Sequence, residues 1–161
     1  MSDQVVHLRD LLAPSVVSLV ASFQMGRFAW AVGQARRKFK VPVPQTDGDE
    51  GFVRVFRAQQ NTLEFAPLFL PCVWISSLFV HPVPSTIVSL RYLYARSQYF
   101  ESYSKKAEDR VPHFITAVKC FQILLVMSAA GLINLSLKEF AGVDVFGKVV
   151  DFFRQYIPQL K

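Results

Sequence analysis

Three features of this sequence predict an all-α fold, an integral membrane four-helix bundle with a C-terminal amphipathic helix. First, 52% of the 161 residues are hydrophobic, against about 45–50% for soluble domains. The excess is gathered into four blocks parted by short polar loops, rather than alternating finely along the chain. Second, Pro67 and Pro71 lie inside one of those blocks. They would break a soluble helix, whereas spanning helices tolerate them. Third, residues 52–67 carry a dense set of polar side chains straight into the apolar stretch 68–80. Ionisable groups are costly at a membrane boundary, so they usually pair or line a site there. The length suits one domain over residues 1–161.

The first span is expected over residues 11–32, long enough to cross the hydrocarbon core. No small-residue cleavage site follows a short apolar core, so it reads as a retained span rather than a signal peptide. Arg27 inside it either snorkels toward the basic end at Arg36 or faces a neighbouring helix. A basic run, Ala35-Arg36-Arg37-Lys38-Phe39-Lys40, leads into a loop broken by Pro42, Pro44, Gly48 and Gly51. The second helix begins with polar turns and spans over 58–80. His81-Pro82-Val83-Pro84 is a tight turn into the third span, 85–103, which is only moderately hydrophobic and contains Arg91 and Arg96. A polar loop over 104–111 precedes the fourth span, 112–137. Lys119, Gln122 and Asn134 within that span call for partners on neighbouring helices or in a cleft. A tail helix over about 141–157 puts Val145, Val149, Phe152, Phe153 and Tyr156 on one face. It is too polar to span, and lies at the interface or packs on the bundle end.

The formal charge is +6. No basic run with interleaved aromatics marks a nucleic-acid module, so no nucleic-acid partner is expected. Cys72 and Cys120 sit inside apolar blocks and form no CxxC pair, which reads as packing. His7, His81 and His113 are scattered without metal-ligand spacing, so no metal is expected. Four spans place both termini on one side. The loops after spans one and three share the other side and carry most of the Lys and Arg, which marks it as cytosolic and the termini as luminal.

Arg57, Asn61 and Glu64 fall at i, i+4 and i+7 and share a helix face. Tyr92, Arg96, Tyr99 and Tyr103 form a second stripe. Interfacial anchoring accounts for one or two of these tyrosines, and a stripe that includes an arginine points more to a site. With Arg36, Arg37, Gln59 and Arg110 they collect at one end of the bundle. Guanidinium groups grip carboxylates bidentately and Glu64 can hold an ammonium, so the set suits a small, peptide-like zwitterion with more than one carboxylate.

The segments Arg54-Val55-Phe56-Arg57-Ala58-Gln59-Gln60-Asn61-Thr62-Leu63-Glu64-Phe65 and Tyr94-Ala95-Arg96-Ser97-Gln98-Tyr99-Phe100-Glu101-Ser102-Tyr103 resemble the membrane-associated proteins in eicosanoid and glutathione metabolism, the MAPEG family. The similarity covers most of residues 35–134. It implies a homotrimer of four-helix subunits in the endoplasmic reticulum or nuclear outer membrane, with glutathione as co-substrate held between adjacent subunits. On that resemblance Arg57, Gln59, Asn61, Glu64, Arg96, Tyr99 and Tyr103 bind glutathione and Arg36 reaches it from the neighbouring chain. Arg110 activates the thiol and Arg37 protonates an opening epoxide. The implied activity is conjugation of glutathione to a leukotriene A4-type lipid epoxide. The alternatives are a broader glutathione transferase or peroxidase, or a non-catalytic scaffold presenting lipid to a lipoxygenase. Two positions depart from the leukotriene-conjugating pattern: Phe65 stands in place of a tyrosine, and Gln122 near a tryptophan that caps the lipid tail.

Overall fold

The structure, a computed structural model, describes residues 7–156. It consists of α1 (Leu8–Phe39), α2 (Glu50–Phe79), α3 (Pro82–Lys105), a 3-10 turn (Glu108–Arg110), α4 (Val111–Ala141) and α5 (Val145–Tyr156). Local chemistry sets each end. Lys40 adopts a left-handed conformation (φ 54°) that closes α1. Asp49 Oδ1 accepts from Gly51 N at 2.7 Å and starts α2. His81 Nδ1 accepts from Val83 N at 3.2 Å, and Pro82 opens α3, where its missing N–H costs nothing. Gly142 (φ 67°) ends α4.

Contacts between helices fix an up-down-up-down order. Trp74 Nε1 donates to Ser18 Oγ at 3.0 Å while Arg36 lies over Phe52 at the opposite end, so α1 and α2 are antiparallel. Arg96 meets Thr62 and Tyr92 stacks on Phe69 at 4.0 Å, so α2 and α3 are antiparallel. Ser128 Oγ donates to Cys72 O at 3.0 Å and Phe65 meets Phe114, so α4 runs with α2. The central core joins all four helices through Val17, Phe69, Val73, Tyr92, Ala117 and Leu124. Two smaller clusters, around Phe28 and Phe100 and around Val32 and Phe52, carry the core toward the end where α1 stops and α2 starts.

Small residues let the backbones close up. Ser76, Ser77, Ser85, Ser89 and Ser128 are all buried. Gly131 abuts Phe79 and Val80 so closely that a Cβ there would lie 3.0 Å from the Phe79 carbonyl oxygen. The outer faces are apolar: Leu12, Leu19, Phe23, Ile87, Val126 and Ile133 are exposed. Among the described residues, α1, α2 and the Glu108–Ala141 stretch are long and apolar enough to cross a membrane. The third helix is not in that set, and its position explains why. It packs against α1, α2 and α4, and turns Ser85, Ser89 and Arg96 inward. The molecule is an all-α membrane bundle.

α1 continues to Phe39, about two turns past residue 32. Hydropathy locates where a helix leaves lipid, not where its hydrogen bonding stops. α5 takes up the expected amphipathic tail. Its N-terminus is bound by an α4 side chain, since Asn134 Oδ1 accepts from Val145 N at 2.8 Å and from Phe146 N at 3.0 Å. Residue 157 of the expected tail helix lies outside the described residues.

Candidate functional site

At the end of the bundle where α3 passes into α4 is a cleft of about 380 Å³. From α2 it receives Arg57, Gln60, Asn61 and Glu64, which the helical repeat brings to one face. From α3 come Tyr99 and Tyr103, one turn apart, and Arg110, Val111 and Phe114 close the side where α4 begins. The 3-10 turn places Arg110. Its Nη1 donates to Ala107 O, and its guanidinium lies 4.4 Å from the centre of the Tyr103 ring. Tyr99 is packed between Tyr103 and Phe114, with ring centres 5.7 and 5.9 Å away.

Arg96 lies beneath this cleft and is fully buried. Its Nη2 donates to Asn61 Oδ1 at 3.1 Å and to Thr62 Oγ1 at 2.8 Å. The guanidinium is sandwiched against Tyr99 and Phe65, 4.6 and 5.4 Å from their ring centres. Nε and Nη1 have no hydrogen-bond partner. Arg96 holds the Asn61 oxygen, which leaves the Asn61 amide N–H groups free to act as donors toward the cleft.

The ion balance is the main electrostatic feature. Arg57, Arg96 and Arg110 make no ion pair with any carboxylate among the described residues, and neither does Glu64. Arg57 Nη1 donates instead to Gln60 Oε1 at 3.2 Å. Three cations and one anion thus gather at one cleft without a direct ion pair, Glu64 acting on Arg96 only at longer range. Of these charges only Arg96 is buried, where an unpaired cation is costly, while Arg57 and Glu64 are exposed and open to a ligand. The fitting ligand is anionic, with a single positive group opposite Glu64 and aromatic faces beside it.

Of the residues singled out by sequence, Arg57, Asn61, Glu64, Tyr99, Tyr103 and Arg110 line the cleft, and Arg96 supports it from below. Gln59 is half-buried on another face of α2, and Gln60 occupies the lining position. Gln60 is three residues from Arg57, a spacing that flags it in the sequence. Arg36 and Arg37 line a separate groove with Gly33, Lys40 and residues 41–43. There Arg36 donates to Pro42 O at 3.2 Å and to Gln45 O, and lies 4.8 Å from the centre of the Phe52 ring. One chain alone does not bring Arg36 or Arg37 to the cleft. Cys72 and Cys120 are free, buried thiols in the central core, away from the site. No group of three metal-ligating side chains occurs among the described residues.

A membrane bundle with an uncompensated cationic cleft at one end is the class this architecture defines. Residues 12–130 match the MAPEG family. The chain is 36% identical to "Microsomal glutathione S-transferase 2" of Bos taurus over 138 residues, which cover 86% of this chain and 94% of that protein. The human protein of the same name is 36% identical over 84% of this chain and 92% of its own length. "Leukotriene C4 synthase" of Mus musculus is 36% identical over 83% of this chain and 85% of its own. The chain belongs to the MAPEG family.

Proposed function

We propose that this chain is a membrane glutathione transferase that ionises the glutathione thiol and delivers it to a lipid electrophile. The observation that carries this reading is the cleft bordered by Arg57, Arg110 and the underlying Arg96, none paired with a carboxylate, together with a lone Glu64. Glutathione has two carboxylates and one ammonium, the complement of that set. The names of the relatives, glutathione S-transferase and leukotriene C4 synthase, support the same chemistry.

A free thiol has a pKa near 8.5 and attacks as the thiolate. Arg110 stays protonated, so it acts by attracting the sulfur anion. Lowering the thiol pKa by ~2 units corresponds to about 2.7 kcal/mol, which one close, partly desolvated charge can supply. The thiolate then attacks a carbon of an allylic epoxide. The S–C bond forms, the C–O bond breaks, its electron pair passes to oxygen, and that oxygen takes a proton. Arg37 is the proposed donor, acting from a neighbouring subunit of a homotrimer, as Arg36 would act in binding, and Gln59 is proposed to bind glutathione with Arg57, Asn61 and Glu64. The leukotriene A4-type epoxide is the proposed substrate.

A broader range of lipid electrophiles is the second reading. Two observations favour it: Phe65, edge-on to Phe114 and Phe121, offers no hydroxyl, and Gln122 is exposed on α4. A scaffold presenting lipid to a lipoxygenase would have no use for the unpaired arginines. We place four crossings in the endoplasmic reticulum or nuclear outer membrane, with the cleft cytosolic and the termini luminal. Arg36, Arg37, Lys38, Lys40, Arg54, Lys105, Lys106 and Arg110 support this, because all lie at the cleft end while the α2–α3 turn carries none. Titrating the purified protein with glutathione while following thiolate absorbance, then adding candidate epoxides, tests the proposal. Saturable thiolate formation that decays on epoxide addition is expected. Folded protein that forms no thiolate rules the reading out.

A further inference from the structure

A second cavity, a groove of about 680 Å³, opens at the same end of the bundle but between α1, α2 and α3. It shares no lining residue with the cleft formed by α2, α3 and α4. Each of its three helices brings one cation: Lys38 from α1, Arg54 from α2 and Lys105 from α3. No Asp or Glu lines it. Lys38 and Lys105 are exposed and make no ion pair among the described residues. Arg54 Nη1 lies 3.6 Å from Glu50 Oε2, but that carboxylate is 95% exposed, and Arg54 Nε is buried without a hydrogen-bond partner. Dipole balance accounts for Lys38 and Lys105 in the last turns of α1 and α3, and an i,i+4 pair accounts for Arg54. Neither accounts for their convergence on one concave surface without acids, where three like charges repel until an anion joins them.

The remaining lining selects among anions. Phe39 gives the groove an apolar wall, held so close to Gly51 that a Cβ there would lie 2.4 Å from the ring. Ser104 Oγ donates to Phe100 O at 2.7 Å, which leaves its oxygen free to accept, and Gln34 adds a side-chain amide. The volume is in the range of about 300–1,000 Å³ found for small-molecule sites, far more than a bare phosphate fills. The groove lies where α1 and α3 end and α2 begins, beyond the apolar outer faces and so at the level of lipid headgroups. Basic pockets between spanning helices hold anionic headgroups at that level. Two unpaired lysines and a shared arginine match a phosphomonoester, which carries a charge of about −1.5 to −2 on three acceptor oxygens. Gln34 and Lys38 stand about 100° round α1 from Gly33 and Arg37, so the groove keeps clear of the surface where Arg37 would meet a neighbouring subunit.

We infer that Lys38, Arg54 and Lys105 hold the headgroup of an anionic phospholipid that carries a phosphomonoester, with its phosphate among the three cations and its hydroxyls toward Gln34 and Ser104. The inference rests on the membrane bundle and not on the glutathione reading.

The probe is phosphatidylinositol 4-phosphate, titrated into the full chain in detergent micelles and counted by native mass spectrometry. Saturable binding of one lipid per chain is expected, tighter than that of phosphatidylcholine or phosphatidylserine. Lys38→Gln combined with Lys105→Gln should weaken it by roughly tenfold or more, as for loss of charged hydrogen bonds, while Lys38→Arg with Lys105→Arg retains it. Both positions are exposed, and glutathione thiolate formation on the same samples should be unchanged. Binding that survives the double Gln variant overturns the proposal, and so does equally tight binding of phosphatidylserine. Soluble inositol 1,4-bisphosphate binding as tightly as the lipid would assign the groove to a water-borne phosphate and also overturn it. Specific lipid binding without thiolate formation would leave this site standing and remove the glutathione reading alone.

Discussion

Arg110 reaches the cleft through a three-residue turn, and its charge is steadied by a carbonyl and a tyrosine ring rather than by a carboxylate. A carboxylate partner would cancel the field that a thiolate needs. Arg110→Ala should therefore lower turnover about 10–100-fold, the span of one to two pKa units on the thiol, while glutathione affinity changes little. Stopped-flow thiolate absorbance beside equilibrium binding checks this. Loss of affinity with thiolate formation preserved would make Arg110 a binding residue only. Much of this residue-level arrangement was legible beforehand. Arg57, Asn61 and Glu64 announce a shared face by spacing alone, and so do Tyr99 and Tyr103. The burial of Arg96 was not legible, since depth depends on how α2 and α3 cross. The place of Gln60 beside Arg57 follows from its three-residue spacing, but a motif match that names Gln59 does not carry the angle of about 100° between adjacent helix residues and passes over it.

The α2–α3 and α4–α5 junctions hold the ends of the elements together. Gly131→Ala would drive a methyl into Phe79 backbone and side-chain atoms that cannot swing aside. A loss of about 1–3 kcal/mol is expected for overpacking of this kind, measurable as a lower thermal unfolding midpoint in detergent. At the other junction, the Gly147 backbone N–H, 2.8 Å from Asp144 Oδ1, holds the Asp144 carboxyl below the usual carboxylate range. Burial offsets this in part, and Asn134 and Lys138 add to it. A depressed folded-state pKa means the contribution to stability is complete above the unfolded value and is lost as pH falls through the folded one. The start of α5 should therefore open below the ordinary carboxylate range. Hydrogen exchange at Val145–Gly147 should speed up there, and Asp144→Asn should flatten that response. Apolar blocks revealed where the long helices lie. They understated α3, which turns Ser85, Ser89 and Arg96 toward its neighbours, and the latch between Asn134 and α5 joins residues whose sequence pattern gives no sign of pairing.

At the scale of the whole molecule, the cleft within one chain lacks Arg36 and Arg37, which line their own groove. The proposed trimer would unite the two sets across a subunit boundary. Subunits carrying Arg37→Ala and subunits carrying Arg110→Ala should each be poorly active alone, and co-assembly should restore part of the turnover, because some boundaries then combine an intact half from each. Mixtures no better than the parents would confine the site to a single chain. Architecture was readable from hydropathy, whereas assembly was not, since one chain's sequence does not say which outer faces meet. The unequal connections at the two ends have a mechanical outcome. Only Val80 and His81 join α2 to α3, while residues 40–49 link α1 to α2 at the opposite end. Splaying of α2 from α3 must hinge at the short joint and be widest beside the cleft, so this pair is built like tweezers, while the 3-10 turn ties α3 to α4.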